Sequence, residues 1–125
     1  MPPARVLAAI AVGGALGALA RWGISLALGN WDGVRLPVPT LLANLIGCLA
    51  IGMLAGLPRL AEGPDWLRPF IITGLLGGFT TFSALSLEVV VLADGGQALL
   101  AAGYLALTLA GGLLAVTLGR LAVRR

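Results

Sequence analysis

The sequence predicts an all-α membrane protein: four transmembrane helices, the third broken at mid-membrane. Three observations carry that prediction. The first is composition. Of 125 residues, 59% are hydrophobic and only 10% are charged, and the mean hydropathy is +1.04. A soluble domain this small has too much surface for its volume to hide so much apolar area. The second is punctuation. Turn residues and charges cut the chain into four apolar spans of about 20 residues, each enough for a hydrocarbon core of roughly 30 Å. The third is the stretch Gly74-Leu75-Leu76-Gly77-Gly78-Phe79-Thr80-Thr81-Phe82-Ser83, midway in the apolar run between Arg68 and Glu88. Glycines, threonines and a serine at the centre of a span predict a break. At membrane depth, backbone leaves the helix only where protein or a polar cavity satisfies its freed groups.

The first span runs from about Ala4 to Leu28, and Asn30-Trp31-Asp32-Gly33 reads as a turn. Met1 to about Ala20 has some signal-peptide features, but the apolar character continues to Asn30 and argues for a span. The second span runs from near Pro37 to near Leu57. Its prolines are tolerated because early helical positions need no donor N–H. Pro58 to Asp65 reads as a loop. The third span runs from about Trp66 to Ala93, and Asp94-Gly95-Gly96 turns the chain. The fourth runs from about Gln97 to Leu118, followed by Arg120, Arg124 and Arg125. Trp22, Trp31 and Trp66 fall near span ends, where an aromatic belt belongs. Residues 1–125 read as a single four-helix transmembrane domain, with sequential helices as antiparallel neighbours.

Small residues recur at helical spacing: Gly13 and Gly17, Gly14 and Ala18, Cys48, Gly52 and Gly56, and Gly111, Ala115 and Gly119. Such faces let helix backbones approach closely. The same composition argues against an enzyme. There is no histidine, Cys48 is alone, and the five acidic residues are scattered. The net charge of +3 comes from arginine without lysine, and no clustered basic face suggests nucleic acid.

Polar residues inside apolar spans are the informative ones, because they are costly unless satisfied. Thr40, Asn44 and Cys48 share one helix face, and Tyr104 and Thr108 form a second polar stripe. Asn44 serves either as interhelical glue or as the lining of a pathway; its amide has two donor hydrogens and an acceptor. Arg21 lies about 24 Å along the first helix from Arg5. That puts it near the opposite interface, as an anchor or as an anion-attracting vestibule group. Glu88 is open to three readings: pairing with an arginine, capping a vestibule, or facing solvent. Phe79 and Phe82 lie near one face of the helix after the break, where ring edges turned into a pore would favour an anion.

These residues resemble those of a known family. Gly13 to Arg21 is similar to the first-helix motif of the small fluoride channels called the Fluc or CrcB family. Thr40-Leu41-Leu42-Ala43-Asn44-Leu45-Ile46-Gly47 resembles its second-helix motif. Gly77-Gly78-Phe79-Thr80-Thr81-Phe82-Ser83 followed by Glu88 resembles its third-helix signature, the most specific part. The resemblance covers the whole chain. It implies an antiparallel, inverted-topology dimer in the cell (inner or plasma) membrane. It implies two fluoride pathways and a structural Na⁺ at the dimer axis, here on the backbone carbonyls of Gly77 and Thr80. It places Asn44, Phe82, Ser83, Thr40, Tyr104 and Thr108 along or beside the ion path. Arg21 and Glu88 become vestibule or structural residues.

The function so implied is passive export of cytoplasmic fluoride, which reduces its toxicity. Two departures stand out. Leu85 occupies a position where the family usually has a second phenylalanine, and Ala84 one where threonine is common. Arginines are also biased to one side of the four-span topology, which predicts cytoplasmic termini and sits poorly with a dual-topology homodimer. This chain then reads either as a homodimer with a skewed charge bias and a tolerated Leu85, or as one half of a heterodimer with an oppositely oriented homologue that supplies the missing phenylalanine. The competing readings are a small four-helix drug or cation exporter, which needs a membrane-embedded acid, and a non-conducting accessory subunit.

Overall fold

A computed structural model describes residues 2–124. The chain is all-helical, and the described residues hold no strand. Helix α1 spans Ala4–Leu28, α2 Val38–Leu54, the short α3 Pro58–Glu62, α5 Ser83–Asp94 and α6 Ala98–Val123. Between α3 and α5 lie α4, a π-helical segment over Pro69–Leu76, and a single α-turn over Gly77–Phe79. Three stretches are long and apolar enough to cross a membrane: Ala4–Leu28, Pro69–Asp94 and Ala98–Val123; Val38–Leu54 is a shorter apolar helix. The protein is a multi-pass membrane protein. Large side chains such as Leu7, Leu19, Leu99 and Leu113 point outward rather than into the fold, as they would against lipid or a partner and not against water.

The turns form for local reasons. Asp32 Oδ1 accepts the Val34 and Arg35 N–H groups at 2.8 and 2.9 Å, and Gly33 supplies a φ of +84°. Those two bonds, Arg35's first, hold the Asp32 carboxyl below the usual carboxylate range. After α5, Gly96 at φ +83° lets its own N–H reach Ala93 O, while the Gln97 N–H reaches Leu92 O. This closes the helix as a Schellman cap.

Two boundaries differ from the sequence reading. Helix α2 ends at Leu54 after 17 residues, short of Leu57, because Pro58 drives Leu57 into the extended region at ψ 128°. The stretch taken as a loop from Pro58 to Asp65 contains α3, started by that same proline.

The neighbours also differ. Helix α1 packs chiefly on α4 and α2 chiefly on α6, with a smaller α1–α2 contact. Glycines select these pairs. A Cβ on Gly13 would lie 2.5 Å from Phe70 O, and one on Gly78 would lie 3.0 Å from Gly14 Cα. A Cβ on Gly119 would lie 2.5 Å from Leu49 O. Backbones this close admit only glycine, so the glycine-bearing faces pair regardless of chain order. Within the fourth-span stripe Gly119 is buried, whereas Gly111 and Ala115 are half-buried; Gly112, outside the stripe, is buried. The buried apolar cluster is Leu41, Leu85, Leu92, Ala101 and Tyr104, where α5 meets α2 and α6.

The ends of the bundle are tied by arginines. Arg5 grips Asp65 through two bonds of 2.8 and 2.6 Å, which holds the Asp65 carboxyl below its usual range. Arg68 donates to the Ala55 carbonyl at the end of α2, at 2.6 Å. The start of α1, the end of α2 and the start of α4 therefore lie at one end of the bundle.

Candidate functional site

The break falls within the predicted stretch. Thr80 is extended, with φ −89° and ψ 155°, and helix resumes at Ser83. A continuous helix would aim the Thr81 N–H at Gly77 O and the Ala84 N–H at Thr80 O. Both donors are used elsewhere. The Thr81 N–H donates to Asn44 Oδ1 at 2.8 Å, and the Ala84 N–H donates to Thr81 Oγ1 at 3.2 Å. Asn44 Nδ2 then donates to Thr81 O at 3.1 Å. One asparagine from α2 thus takes both backbone groups of Thr81. The carbonyls of Gly77 and Thr80 lose the partners a helix would supply.

The remaining hydroxyls complete the arrangement. Thr80 Oγ1 donates back to Leu76 O at 3.0 Å, and Ser86 Oγ donates to Phe82 O at 2.9 Å. Thr81 Oγ1 and Ser83 Oγ lie 3.3 Å apart. From the other side, Arg21 Nε points at Gly78 O, 3.4 Å away. The guanidinium is therefore half-buried and turned toward the break.

A cavity of about 410 Å³ opens beside the break, between α2, α6 and the third span. Asn44, Thr80, Thr81, Phe82, Leu85 and Thr108 line it. The predicted face of α2 holds: Thr40 and Asn44 are buried, and Cys48 faces the cavity. Thr108 donates to its own i−4 carbonyl, Tyr104 O, at 2.9 Å. Its hydroxyl hydrogen is spent on its own helix, while its oxygen can still accept. Phe82 is 74% exposed and sits at the cavity rim, and Ser83 is exposed beside it. Phe79 belongs to the turn before the break and Phe82 to the residues after it. The extended Thr80 between them ends the shared helix face that the sequence suggested.

A second polar cluster lies further along the same face of α2. Thr40 Oγ1 donates to Glu88 Oε2 at 2.8 Å, and the Tyr104 hydroxyl donates to Oε1 at 2.9 Å. All three residues are buried. Among the described residues Glu88 pairs with no arginine and does not face solvent; its carboxylate is held inside the bundle by hydroxyls. The reason is geometric. Thr40 and Tyr104 meet Glu88 from separate helices, at positions 48 and 16 residues away.

Sequence reasoning missed Thr81, the residue on which the break turns. Its signal was the pairing of a membrane-depth asparagine with a threonine pair in a glycine-rich stretch. Leu85 is buried at 3% exposure, against Tyr104 and Leu41. It fills the chain's own interior and forms part of the cavity wall.

Comparison with known proteins agrees with this architecture. A family model described as CrcB-like protein, Camphor Resistance (CrcB), matches residues 8–120. A protein of Paracoccus denitrificans (strain Pd 1222) is 44% identical over 115 residues, covering 89% of this chain and 91% of its own length. One of Methylobacillus flagellatus is 47% identical over 114 residues, covering 88% of each chain. One of Azotobacter vinelandii is 47% identical over 119 residues, covering 91% of this chain and 93% of its own length. Each of the three is named a fluoride-specific ion channel FluC.

Proposed function

This chain belongs to the CrcB family, and from that premise we propose that it is a fluoride-selective channel through which cytoplasmic fluoride leaves passively. It is not an enzyme. The observation that supports the reading best is the break itself, with its hydroxyls and amide beside a cavity at membrane depth. HF enters from acidic surroundings and dissociates at cytoplasmic pH. The negative-inside potential then drives the anion out, at ~2.3 kcal/mol per 100 mV.

Fluoride is small and strongly hydrated, so a narrow path has to replace lost water with donors of modest strength. Asn44 keeps one amide hydrogen beyond the one given to Thr81 O. Ser83 and Thr81 share one hydroxyl contact of 3.3 Å, which leaves donor capacity between them. Phe82 at the rim offers a ring edge. Glu88 keeps the hydroxyls of Thr40 and Tyr104 oriented, while Arg21 supports the break from the far side.

The donor set at Gly77 and Thr80 fits a hard cation, which prefers oxygen ligands. Their carbonyls are the two that the Asn44–Thr81 clamp and the Thr81 hydroxyl release from helical pairing. These carbonyls would hold a structural Na⁺ where two such chains meet. Bound there, the ion would supply positive charge that lets two carbonyl-rich breaks approach. In this reading the assembly is an antiparallel dimer in the inner membrane, and the outward apolar faces of α1 and α6 meet partner or lipid.

The second reading, a heterodimer, is favoured by charge. Arg5 and Arg68 are tied at one end of the bundle, and Arg120 and Arg124 lie by the end of α2 at that same end. Arg35 lies in the α1–α2 turn at the other end. A bias this strong favours one insertion direction, so the partner would be an oppositely inserted homologue.

The test is fluoride efflux from liposomes holding the purified chain, read with a fluoride electrode and with chloride as control. Fluoride efflux without chloride efflux is the expected result for a homodimer. Flux only after addition of an oppositely inserting homologue supports the heterodimer. No flux in either arrangement refutes the channel reading.

A further inference from the structure

A groove of about 440 Å³ lies between the ends of α2 and α6, away from the break. Its walls are Ile51, Gly52, Gly56, Val116 and Val123, and Arg120 and Arg124 stand among them. The helices touch backbone to backbone at its inner end, where a Cβ on Gly52 would lie 2.9 Å from Val116 Cα. They part toward the bundle end, where a Cβ on Gly56 would meet nothing within 4 Å. The groove therefore has an apolar, tapering interior and a cationic wall.

Among the described residues, the two arginines, Arg120 and Arg124, have no ion-pair partner, whereas Arg5 pairs with Asp65 and Arg35 with Asp32. The terminal carbonyl of α2 beside the groove, Ala55 O, already accepts from Arg68. A helix-end charge effect at α2 is thus served without them. Two unpartnered guanidiniums over an apolar slot at a bundle end complement an amphiphile with an anionic head. Arginine in addition favours phosphate by its planar fork.

We propose that this groove seats an anionic phospholipid, with its phosphate on Arg120 and Arg124 and an acyl chain between α2 and α6. This assignment is independent of the fluoride reading. Basic pockets between membrane helices recognise lipid headgroups in this way.

The test uses the full chain purified in neutral detergent and titrated with dioleoylphosphatidylglycerol or dioleoylphosphatidylcholine. Retained lipid is counted by native mass spectrometry. The expected result is preferential retention of the glycerol lipid. The preference should be lost, the two lipids being retained about equally, in the R120Q/R124Q double variant. Gly56→Leu should lower retention of both lipids by filling the open end of the slot. Inorganic phosphate at millimolar concentration should not compete. Equal retention of both lipids by the native chain overturns the proposal, as does unchanged preference in the double variant. Full competition by phosphate overturns it in favour of a free-anion site. Size-exclusion profiles and detergent melting temperatures matching the native chain establish that the variants are folded.

Discussion

Asn44→Asp separates the two bonds that hold the break. Asparagine accepts the Thr81 N–H at 2.8 Å and donates to Thr81 O at 3.1 Å. Aspartate keeps the acceptor and removes the donor. Thr81 O then faces a carboxylate oxygen instead of an N–H. An unsatisfied polar group at this depth costs ~1–3 kcal/mol, equivalent to about 5- to 150-fold in an equilibrium. The carboxylate also sets a negative charge on the cavity wall, opposing an anion. Fluoride efflux from liposomes should fall by at least ~10-fold, within the range set by the lost hydrogen bond. Efflux should partly recover at acid pH, where a protonated carboxyl donates to Thr81 O again. Flux within threefold of the native chain at neutral pH, from protein that elutes normally, would refute both the clamp and the place of Asn44 beside the path.

Three further outcomes follow from the same geometry. Gly17→Ala puts a Cβ onto Leu75 O and 2.8 Å from Phe79 N; it should lower the detergent melting temperature and the yield, at a cost of ~1–3 kcal/mol or more. Gly23→Ala meets nothing within 4 Å and should change neither. Thr40→Val and Tyr104→Phe each strip one hydroxyl from buried Glu88 and should each destabilise by ~1–3 kcal/mol, with the double variant less than additive in thermal melts. Asp65 is held below its usual range first by its hydrogen bond from Arg5. Its contribution is therefore present above the usual carboxylate pKa and is lost as pH falls through the lowered folded value. Melting temperature should show this acid limb, and Arg5→Gln should erase it.

The break was legible because its signal is local: glycines and hydroxyl residues in an apolar run mark where a helix is weak, although the partner that opens it is not local. The turn at Asp32-Gly33 and the stop at Gly95-Gly96 are local in the same way. The glycine seams were half legible. Their spacing showed that Gly13 and Gly17 face a close neighbour, but not that the neighbour is Gly74 and Gly78 rather than the next helix in sequence. Non-local features stayed hidden. Nothing near Glu88 in sequence points to Thr40 and Tyr104, and nothing near Thr81 shows that its backbone belongs to Asn44. The contact of Arg21 with the break stayed hidden for a similar reason. Helical rise fixes how far along an axis a residue lies, whereas Gly78 decides which way its side chain turns.

The Asn44–Thr81 clamp has a consequence for the order of assembly. Unpaired backbone in lipid costs several kcal/mol per group. Until α2 is alongside, Thr81 has no better partner than its own helix. The third segment is therefore expected to enter the bilayer as a continuous helix and to open on docking. Asn44 precedes Thr81 in the chain, so the residue that opens the segment is already inserted when that segment arrives. The broken conformation is a product of tertiary assembly, and no isolated peptide of this segment should hold it in a membrane.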